Sequence, residues 1–548
     1  MSEARQYQLR LLAPDQEAMA DAVVQALLTG STAGVPEYLA DDIAAVRGQS
    51  SLGAVTIHRE KGVALDGFAA RPLLGGPHPL IVMPAGLDAT GWKMYAGAIV
   101  RLLMRGYAVV AYTERGLPGS GGELTVAGPE DVADGLAVIH WAIGNADLNI
   151  DENRIGMAGI SYGSGISQLV ANNPESKVKA VVALSTWADL GEALYDNQTR
   201  HIQAANALGS VSENPSAELE KVLADFQANT NIEGVLDYAK PRSPAQIPEQ
   251  DLRPVPTFFT SFWHETIFPQ NQLLAYFDRF PGPKRLDLAV GDHGAVEIPG
   301  LMLGVYTRTT EAAYDWLDHY VREQDNDISR DGAVHTESMH AFTSAAAPDL
   351  RSWSLPMRRY HLTAPNPESP DGTLTLNQPS SFSHSFQAGE KQVQAVEKLV
   401  FDGFAERLLM PKRQRFAEVD RTAAAVWTTK PAFLKPQHIA GIPALELTVT
   451  PSSETVTLVA YLFDHNPFTG AMRIITHAAT TVHNQQPGQP KPVRLRLQAT
   501  DYRIPVLHRL VLIIDPKDPL YGDETAAGAT ITLSSGQDGA YIDIPMTS

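Results

Sequence analysis

The stretch Gly159-Ile160-Ser161-Tyr162-Gly163 is the most informative part of this chain, because a serine with glycines two residues to either side is typical of a catalytic nucleophile. The residues before it, 154–158, are apolar and have strand character, and residues 164–171 are small and favour a helix. On such a turn the glycines remove Cβ atoms that would clash, and the serine hydroxyl projects beyond the sheet. We therefore predict that Ser161 is a nucleophile rather than part of a plain structural turn.

Strand-like and helical segments alternate on both sides of this turn. Eight candidate strands lie at 54–58, 63–68, 80–83, 108–112, 154–158, 178–184, 256–261 and 285–290. Helical patterns lie between or after them at 92–104, 129–143, 162–171 and 305–322. This alternation predicts a mostly parallel sheet that helices cover on both faces. With the serine turn after the fifth strand, the order predicts an α/β-hydrolase fold.

The pattern divides the chain into three predicted parts. Residues 1–52 form a helical extension, and residues 53–330 form the α/β catalytic domain. Within that domain, residues 189–253 are polar and helical, and we interpret them as a lid over the active site. Residues 331–548 consist of short β-rich runs separated by turn residues, which predicts an all-β jelly-roll domain. We expect the jelly roll to pack on the catalytic domain and to form a wall of its pocket.

Composition excludes several classes of protein. The 548 residues are 44% hydrophobic and carry a net charge of −19 without basic runs, so a nucleic-acid partner is not expected. Cysteine is absent, which excludes disulfides and thiolate chemistry. The first residues are polar, and no apolar run approaches the ~20 residues that a membrane span requires. We therefore expect a cytoplasmic protein without membrane attachment, and the sequence leaves its oligomeric state open.

A nucleophilic serine requires a base and an orienting carboxylate, which in this fold follow the seventh and eighth strands. Glu265 and His293 lie at these two positions and are the predicted acid and base. Two alternatives remain open: His264 could be the functional residue beside a solvated Glu265, and Asp189 could supply the carboxylate from the loop after the sixth strand. Asp292 is adjacent to the predicted base, and we expect its side chain to point away from it.

The oxyanion hole requires two donors. The backbone amide of Tyr162, which follows the nucleophile, is one candidate. The other is expected from the loop after the third strand, at Ala85 or Gly86. The glycine-rich run 114–123 lacks the pattern of a phosphate-binding loop, and we interpret it as structural. No nucleotide cofactor or metal ion is expected, because no His, Asp or Glu cluster has metal-ligand spacing.

Taken together, these motifs resemble the X-Pro dipeptidyl-peptidase and cocaine-esterase-like hydrolase family. The resemblance rests on residues 113–116 with 120–122, Trp141 before the elbow strand, Tyr162 after the nucleophile, and 461–464 in the β-rich tail. It implies a Ser-acid-His triad, a lid and a C-terminal jelly roll. The family usually has aspartate as the acid, where this chain has Glu265. Members often place a tyrosine hydroxyl in the oxyanion hole, but residues 83–86 contain no tyrosine, which implies a hole made of two amides.

The predicted activity is serine hydrolysis of a small-molecule ester or amide through an acyl-enzyme, with a carboxylic ester preferred. An X-Pro dipeptidyl-peptidase is the first alternative, and it would need carboxylates to bind the free amine of the substrate. The lid offers candidates at Glu192, Asp196, Glu213 and Glu233. Acyl transfer or thioester cleavage would use the same residues. The remaining alternative is a non-catalytic binding protein, which a fluorophosphonate would not label.

Overall fold

A computed structural model gives the fold of the chain. It describes residues 14–211, 214–365, 369–377, 381–389, 393–396, 399–483, 486–536 and 539–547. Of the sequence-based candidates, Glu213 lies outside the described residues.

Within the described residues, a first sheet of ten strands forms the centre of the N-terminal half. Its spatial order is β1-β2-β4-β3-β5-β6-β7-β8-β9-β10. The strands are β1 Ser50–His58, β2 Ala64–Pro72, β3 His78–Pro84, β4 Ala108–Tyr112, β5 Ile150–Ile160, β6 Val178–Leu184, β7 Thr257–Phe262, β8 Lys284–Ala289, β9 Val334–Glu337 and β10 Ser344–Ala347. Strands β3 to β9 run parallel. The eight predicted strands and the α/β-hydrolase order are confirmed.

Helices cover both faces of this sheet. The helices in the described part of the chain are α1 Pro14–Thr29, α2 Glu37–Gln49, α3 Ala96–Met104, α4 Pro129–Gly144, α5 Tyr162–Asn172, α6 Leu190–Tyr195, α7 Ile202–Gly209, α8 Ala217–Ala228, α9 Ile232–Ala239, α10 Asn271–Arg279, α11 Ile298–Leu303, α12 Arg308–Tyr320, α13 Leu350–Trp353 and α14 Phe401–Arg407. One face packs against α1, α2, α3, α11 and α12. The other packs against α4, α5 and α10. Every residue of β3 and β4 is buried, as expected for strands between two helical layers.

A second, mostly β region follows the first sheet. Its strands are β11 Met357–Leu362, β12 Gly372–Thr375, β13 Ser383–Gln387, β14 Gln414–Arg415, β15 Ala425–Thr429, β16 Gln437–Gly441, β17 Ala444–Pro451, β18 Val456–His465, β19 Ala471–Val482, β20 Lys491–Arg496, β21 Thr500–Ile504, β22 Arg509–Asp515, β23 Thr530–Ser534 and β24 Tyr541–Pro545. Apart from the β16–β21 pair, they belong to one large sheet. Strands β9 and β10 lie beyond residue 331, yet they extend the first sheet through β8.

The C-terminal β region packs closely on the catalytic domain. The indole rings of Trp263 and Trp353 stack with their centroids 5.7 Å apart. The Gln270 amide donates to the Ala499 carbonyl oxygen over 2.6 Å. Apolar residues of both regions belong to one continuous buried cluster, so the two share a core. In the described part of the chain, no helix combines the length and apolar character needed to cross a bilayer.

Candidate active site

Ser161 lies at the sharp turn between β5 and α5. Its backbone is left-handed, with φ +55° and ψ −119°, a conformation that few non-glycine residues adopt. A Cβ on Gly159 would lie 2.4 Å from the Gly163 carbonyl carbon, and a Cβ on Gly163 would lie 2.0 Å from the Pro84 carbonyl oxygen. Both flanking positions therefore require glycine. The turn is the strand–elbow–helix arrangement that the sequence predicts, and Ser161 is only 2% exposed.

His293 and Glu265 meet beside the carboxyl ends of β7 and β8. The His293 Nδ1 atom lies 2.9 Å from Glu265 Oε1, and both side chains are 1% exposed. The same oxygen accepts hydrogen bonds from the backbone amides of Ile267 and Phe268, each over 3.1 Å. The carboxylate is thus fixed by its own loop and oriented toward the imidazole.

The alternative residues that the sequence left open have other partners. Asp189 caps the first turn of α6 by accepting from the Glu192 amide over 2.9 Å. Its second carboxylate oxygen accepts from the side chain of Gln246. His264 Nδ1 lies 2.8 Å from Glu406 of α14. Of the two candidate acids, Glu265 rather than Asp189 is therefore the one that contacts His293.

The protonation of His293 reflects two opposing influences. Burial is the largest single influence and lowers its pKa, but the carboxylates of Glu265, Asp292 and Glu297 together raise it, so the pKa lies above the ordinary value of 6.5. The Nε2 atom is buried and has no hydrogen-bond partner among the described residues, so Ser161 does not donate to it in this structure. Such bonds are often long in free enzymes and shorten when substrate binds.

Asp292 ties the acid and base loops together, whereas the sequence predicted only that it points away from the base. Its Oδ1 atom accepts from the backbone amides of Thr266 and His293 over 2.8 and 2.7 Å, and its Oδ2 atom accepts from the Thr266 hydroxyl over 2.8 Å. Burial and the neighbouring Glu265 raise the pKa of Asp292 to about 7. Sequence reasoning missed this bridge.

A second buried carboxyl group, that of Glu297, supports the loop that carries His293. It accepts hydrogen bonds from the hydroxyls of Ser185 and Thr260. The Ser185 hydroxyl in turn accepts from the Gly294 amide over 2.9 Å, next to the base. Burial raises the pKa of Glu297 to about 7, although both hydroxyls act to lower it. No sequence pattern pointed to this residue.

Helix α14 of the C-terminal region also reaches the site. The amide of Val400, just before the helix, donates to the Thr266 hydroxyl over 3.2 Å. Glu406 holds His264, which precedes the acid in sequence. The C-terminal region therefore contacts the loops that position the acid and base.

The predicted oxyanion donors differ in their availability. Tyr162 is the first residue of α5, so its amide has no acceptor within the helix. The Ala85 amide donates to the Tyr112 carbonyl over 3.0 Å, and the prediction that it is a donor to substrate is therefore corrected. The Gly86 amide faces the Met94 sulfur, a weak acceptor, at 3.1 Å. The Leu87 amide, which sequence reasoning did not single out, has no acceptor among the described residues.

A cavity opens at Ser161 and extends among helices α6, α7, α8 and α9, which form the predicted lid. The space in it that can hold the centre of a water molecule is about 100 Å³. Leu87, Tyr162 and Phe268 surround the nucleophile, and the Phe268 ring packs edge-on against His293 with centroids 5.5 Å apart. Among the described residues, those that line the cavity lie between Leu87 and Phe268. The expectation that the C-terminal domain forms a wall of this pocket is therefore wrong.

The glycine-rich run near the site has a structural role. The Arg115 guanidinium forms two hydrogen bonds with the Asp134 carboxylate, at 2.7 and 2.8 Å. The Ser120 hydroxyl donates to the Thr113 carbonyl oxygen over 2.7 Å. A Cβ on Gly116, which has φ +73°, would lie 2.1 Å from the Leu124 amide nitrogen, so this loop folds tightly on itself.

Comparison with known proteins agrees with this architecture. Residues 61–295 match the X-Pro dipeptidyl-peptidase (S15 family) model, and residues 329–544 match the X-Pro dipeptidyl-peptidase C-terminal non-catalytic domain. No curated protein shows significant similarity to the sequence.

Several solved structures share the fold over most of the chain. A CocE/NonD family hydrolase from Staphylococcus aureus superposes with a TM-score of 0.67 at 16% identity, covering 90% of this chain and 94% of its own. An aminopeptidase from a marine sediment Thaumarchaeota archaeon gives 0.68 at 15% identity, covering 91% and 97%. An alpha-amino acid ester hydrolase gives 0.65 at 17% identity, also covering 91% and 97%. With both family domains present in order, the chain belongs to the X-Pro dipeptidyl-peptidase (S15) family and is a serine hydrolase.

Proposed function

We propose that the chain hydrolyses a small-molecule carboxylic ester through an acyl-enzyme on a Ser161–His293–Glu265 triad. The observation that carries this proposal is the buried 2.9 Å contact between His293 and Glu265, beside an apolar cavity into which Ser161 opens. A buried imidazole that one carboxylate orients, with its other nitrogen unpartnered, is the arrangement that activates a serine hydroxyl.

The reaction uses these residues in two steps. The Ser161 oxygen attacks the ester carbonyl carbon while its proton passes to His293 Nε2, and backbone amides including that of Tyr162 stabilise the oxyanion. The bond to the alcohol oxygen then breaks, and His293 returns the proton to the departing alcohol. Water attacks the acyl-enzyme in the second step and gives its proton to His293. That proton returns to Ser161 as the carboxylic acid leaves, and Glu265 stabilises the imidazolium throughout.

The charge distribution favours an ester over an X-Pro dipeptide. A dipeptide substrate carries an ammonium group, which costs several kcal/mol to bury without a carboxylate. Of the lid carboxylates, Glu192 and Asp196 line a different cavity, on the other side of α6. Glu233 is exposed to solvent. Among the described residues, none with a charged side chain lines the cavity at Ser161.

The test combines active-site labelling with two substrate classes. Wild type should react covalently with a fluorophosphonate and hydrolyse p-nitrophenyl butanoate, and Ser161→Ala should do neither. Gly-Pro-p-nitroanilide should be a poor substrate. Efficient anilide cleavage that depends on Ser161 would contradict the ester preference. Absence of labelling would contradict the triad and favour a binding role. Thioester cleavage would show as a higher kcat/KM for a thioester than for the matching ester. Acyl transfer would show as faster acyl-enzyme turnover when an alcohol acceptor is added.

A further inference from the structure

The cavity at Ser161 extends well beyond the residues that surround the nucleophile. It extends from the nucleophile under all four lid helices, since α6, α7, α8 and α9 each contribute to its wall. Its inner part lies between α7 and α8, where Ala205 and Leu208 are on one side and Leu219 and Phe226 are on the other.

The polar atoms of the cavity wall are mostly engaged elsewhere. The Tyr162 hydroxyl accepts from the Ala127 amide over 3.0 Å. The Tyr238 hydroxyl donates to the Thr125 carbonyl over 2.8 Å, and the Trp187 indole donates to the Arg242 carbonyl over 2.8 Å. These rings therefore present their carbon faces to the cavity. A ligand in the inner part finds an apolar surface with few free hydrogen-bonding groups.

Several charged residues of the predicted lid lie on the other side of the cavity wall. Gly191, Tyr195, Leu236 and Ala239 line both the cavity at Ser161 and a second, polar cavity. The charged side chains of the second cavity are those of Asp189, Glu192, Asp196, Lys240 and Arg496. The wall thus separates an apolar cavity, which Ser161 lines, from a charged cavity, which Ser161 does not line.

We infer that the cavity at Ser161 is an acyl-chain site, which takes the uncharged aliphatic acyl group of a fatty ester of octanoyl size or longer. This inference rests on the proposed function and names its substrate class. Each buried methylene contributes favourable transfer free energy, so extension of the chain from acetyl to octanoyl strengthens binding along the wall. A charged or strongly polar acyl group loses hydration there without gaining a partner.

Chain-length preference in wild type is the first measurement. The value of kcat/KM should be at least about tenfold higher for p-nitrophenyl octanoate than for p-nitrophenyl acetate, because several methylenes become buried. Butanoate should lie between them. A flat profile, or one that falls steadily from acetate to octanoate, would overturn the acyl-chain site even if Ser161-dependent hydrolysis is present.

A substitution on α7 tests the position of the chain. Ala205 is 6% exposed and lines the inner part of the cavity, so Ala205→Trp should fill that part. The ratio of octanoate to acetate kcat/KM should fall at least about tenfold. Asn206, next in sequence, is exposed, and Asn206→Trp is the matched control that should leave the ratio unchanged. An unchanged ratio in a folded Ala205→Trp variant would contradict the assignment.

Direct binding separates this inference from the proposed function. Dodecanoate should bind to Ser161→Ala in titration calorimetry and should bind at least about tenfold more weakly when Ala205→Trp is added. If dodecanoate binds but no ester is turned over by wild type, the acyl-chain site stands and the hydrolase proposal fails. If acetate and butanoate are hydrolysed but dodecanoate does not bind, the site fails and the hydrolase proposal stands.

Discussion

Gly403 of α14 packs directly against Asp292, the residue that precedes the predicted base. A Cβ built on Gly403 would lie 2.5 Å from Asp292 Cβ and 3.0 Å from its backbone nitrogen. Real Cβ atoms do not approach so closely, so only glycine allows the helix to lie there without a shift of the loop. Gly403, in the C-terminal region, therefore determines how closely α14 packs against the loop that carries the predicted base.

The variant Gly403→Ala should therefore lower activity by displacing His293. We expect kcat/KM to fall about tenfold to a hundredfold, because small displacements of a catalytic group are costly, and stability to fall by about 1–3 kcal/mol. Ester kinetics and urea unfolding measure the two effects. Gly48→Ala is the matched control, because a Cβ there has no neighbour within 4 Å. Equal activity of the two variants would show that α14 does not position the base.

The pH profile should report the raised pKa of His293. The base must be neutral, and the neighbouring carboxylate favours the imidazolium, so the acid limb of kcat/KM should lie above the ordinary pKa of 6.5. Glu265→Gln removes that carboxylate, so the limb should move to lower pH while kcat falls about 10²–10⁴-fold. Profiles measured with p-nitrophenyl butanoate check both effects. If the acid limb of the kcat/KM profile lies at the same pH in Glu265→Gln as in wild type, Glu265 is not the partner of His293.

The link between the acid and base loops should depend on the Thr266 hydroxyl. Thr266→Val keeps the shape but leaves a carboxylate oxygen of Asp292 and the Val400 amide without this partner, which costs about 1–3 kcal/mol. We also expect lower kcat, because both loops lose a common support. Thr266→Ser keeps the hydroxyl and serves as the control in urea unfolding. A loss in Thr266→Ser as large as that in Thr266→Val would contradict the prediction, because it would show that the retained hydroxyl does not preserve the link.

Glu297 should make stability depend on pH. Its pKa is about 7 in the folded protein against an ordinary value of 4.5, so the folded state holds more protons than the unfolded state between these values. Its contribution is therefore fully present below about pH 4.5 and is lost as pH rises through about 7, by roughly 3 kcal/mol. Glu297→Gln removes this titration. The unfolding free energy of wild type minus that of the variant should fall across this window, and a constant difference would contradict the assignment.

The catalytic sheet was largely predictable, because its strands are continuous apolar runs with helices between them. Strands β4 and β6 occupy the predicted residues, and the serine turn follows the predicted strand. Glu265 and His293 could be located because the α/β-hydrolase fold places the acid and base after the seventh and eighth strands. The structure adds the contact between their side chains. Prediction was weaker in the C-terminal half, where β19 and helix α14 were missed. The residues of β19 do not alternate regularly between buried and exposed, and α14 has only seven residues, so neither shows a clear period.

The supporting residues could not be found from sequence for a physical reason. Glu297 and Gly403 act through contacts between segments far apart in the chain, and neither lies in a local motif. The Ala85 amide illustrates the same point, because whether a loop amide is free depends on the neighbouring Tyr112 carbonyl. The cavity likewise arises from the packing of four helices, which periodicity alone does not specify.

The contact of α14 with the base loop has a consequence for the order of synthesis. The proposed nucleophile, acid and base are all translated before α14, which follows His293 by roughly a hundred residues. At about 5–20 residues per second, this interval is on the order of 5–20 s. During that time a nascent chain carries the proposed triad without the helix that packs against the loop of the predicted base. We therefore expect full activity only after the C-terminal region has been made and has folded onto the rest.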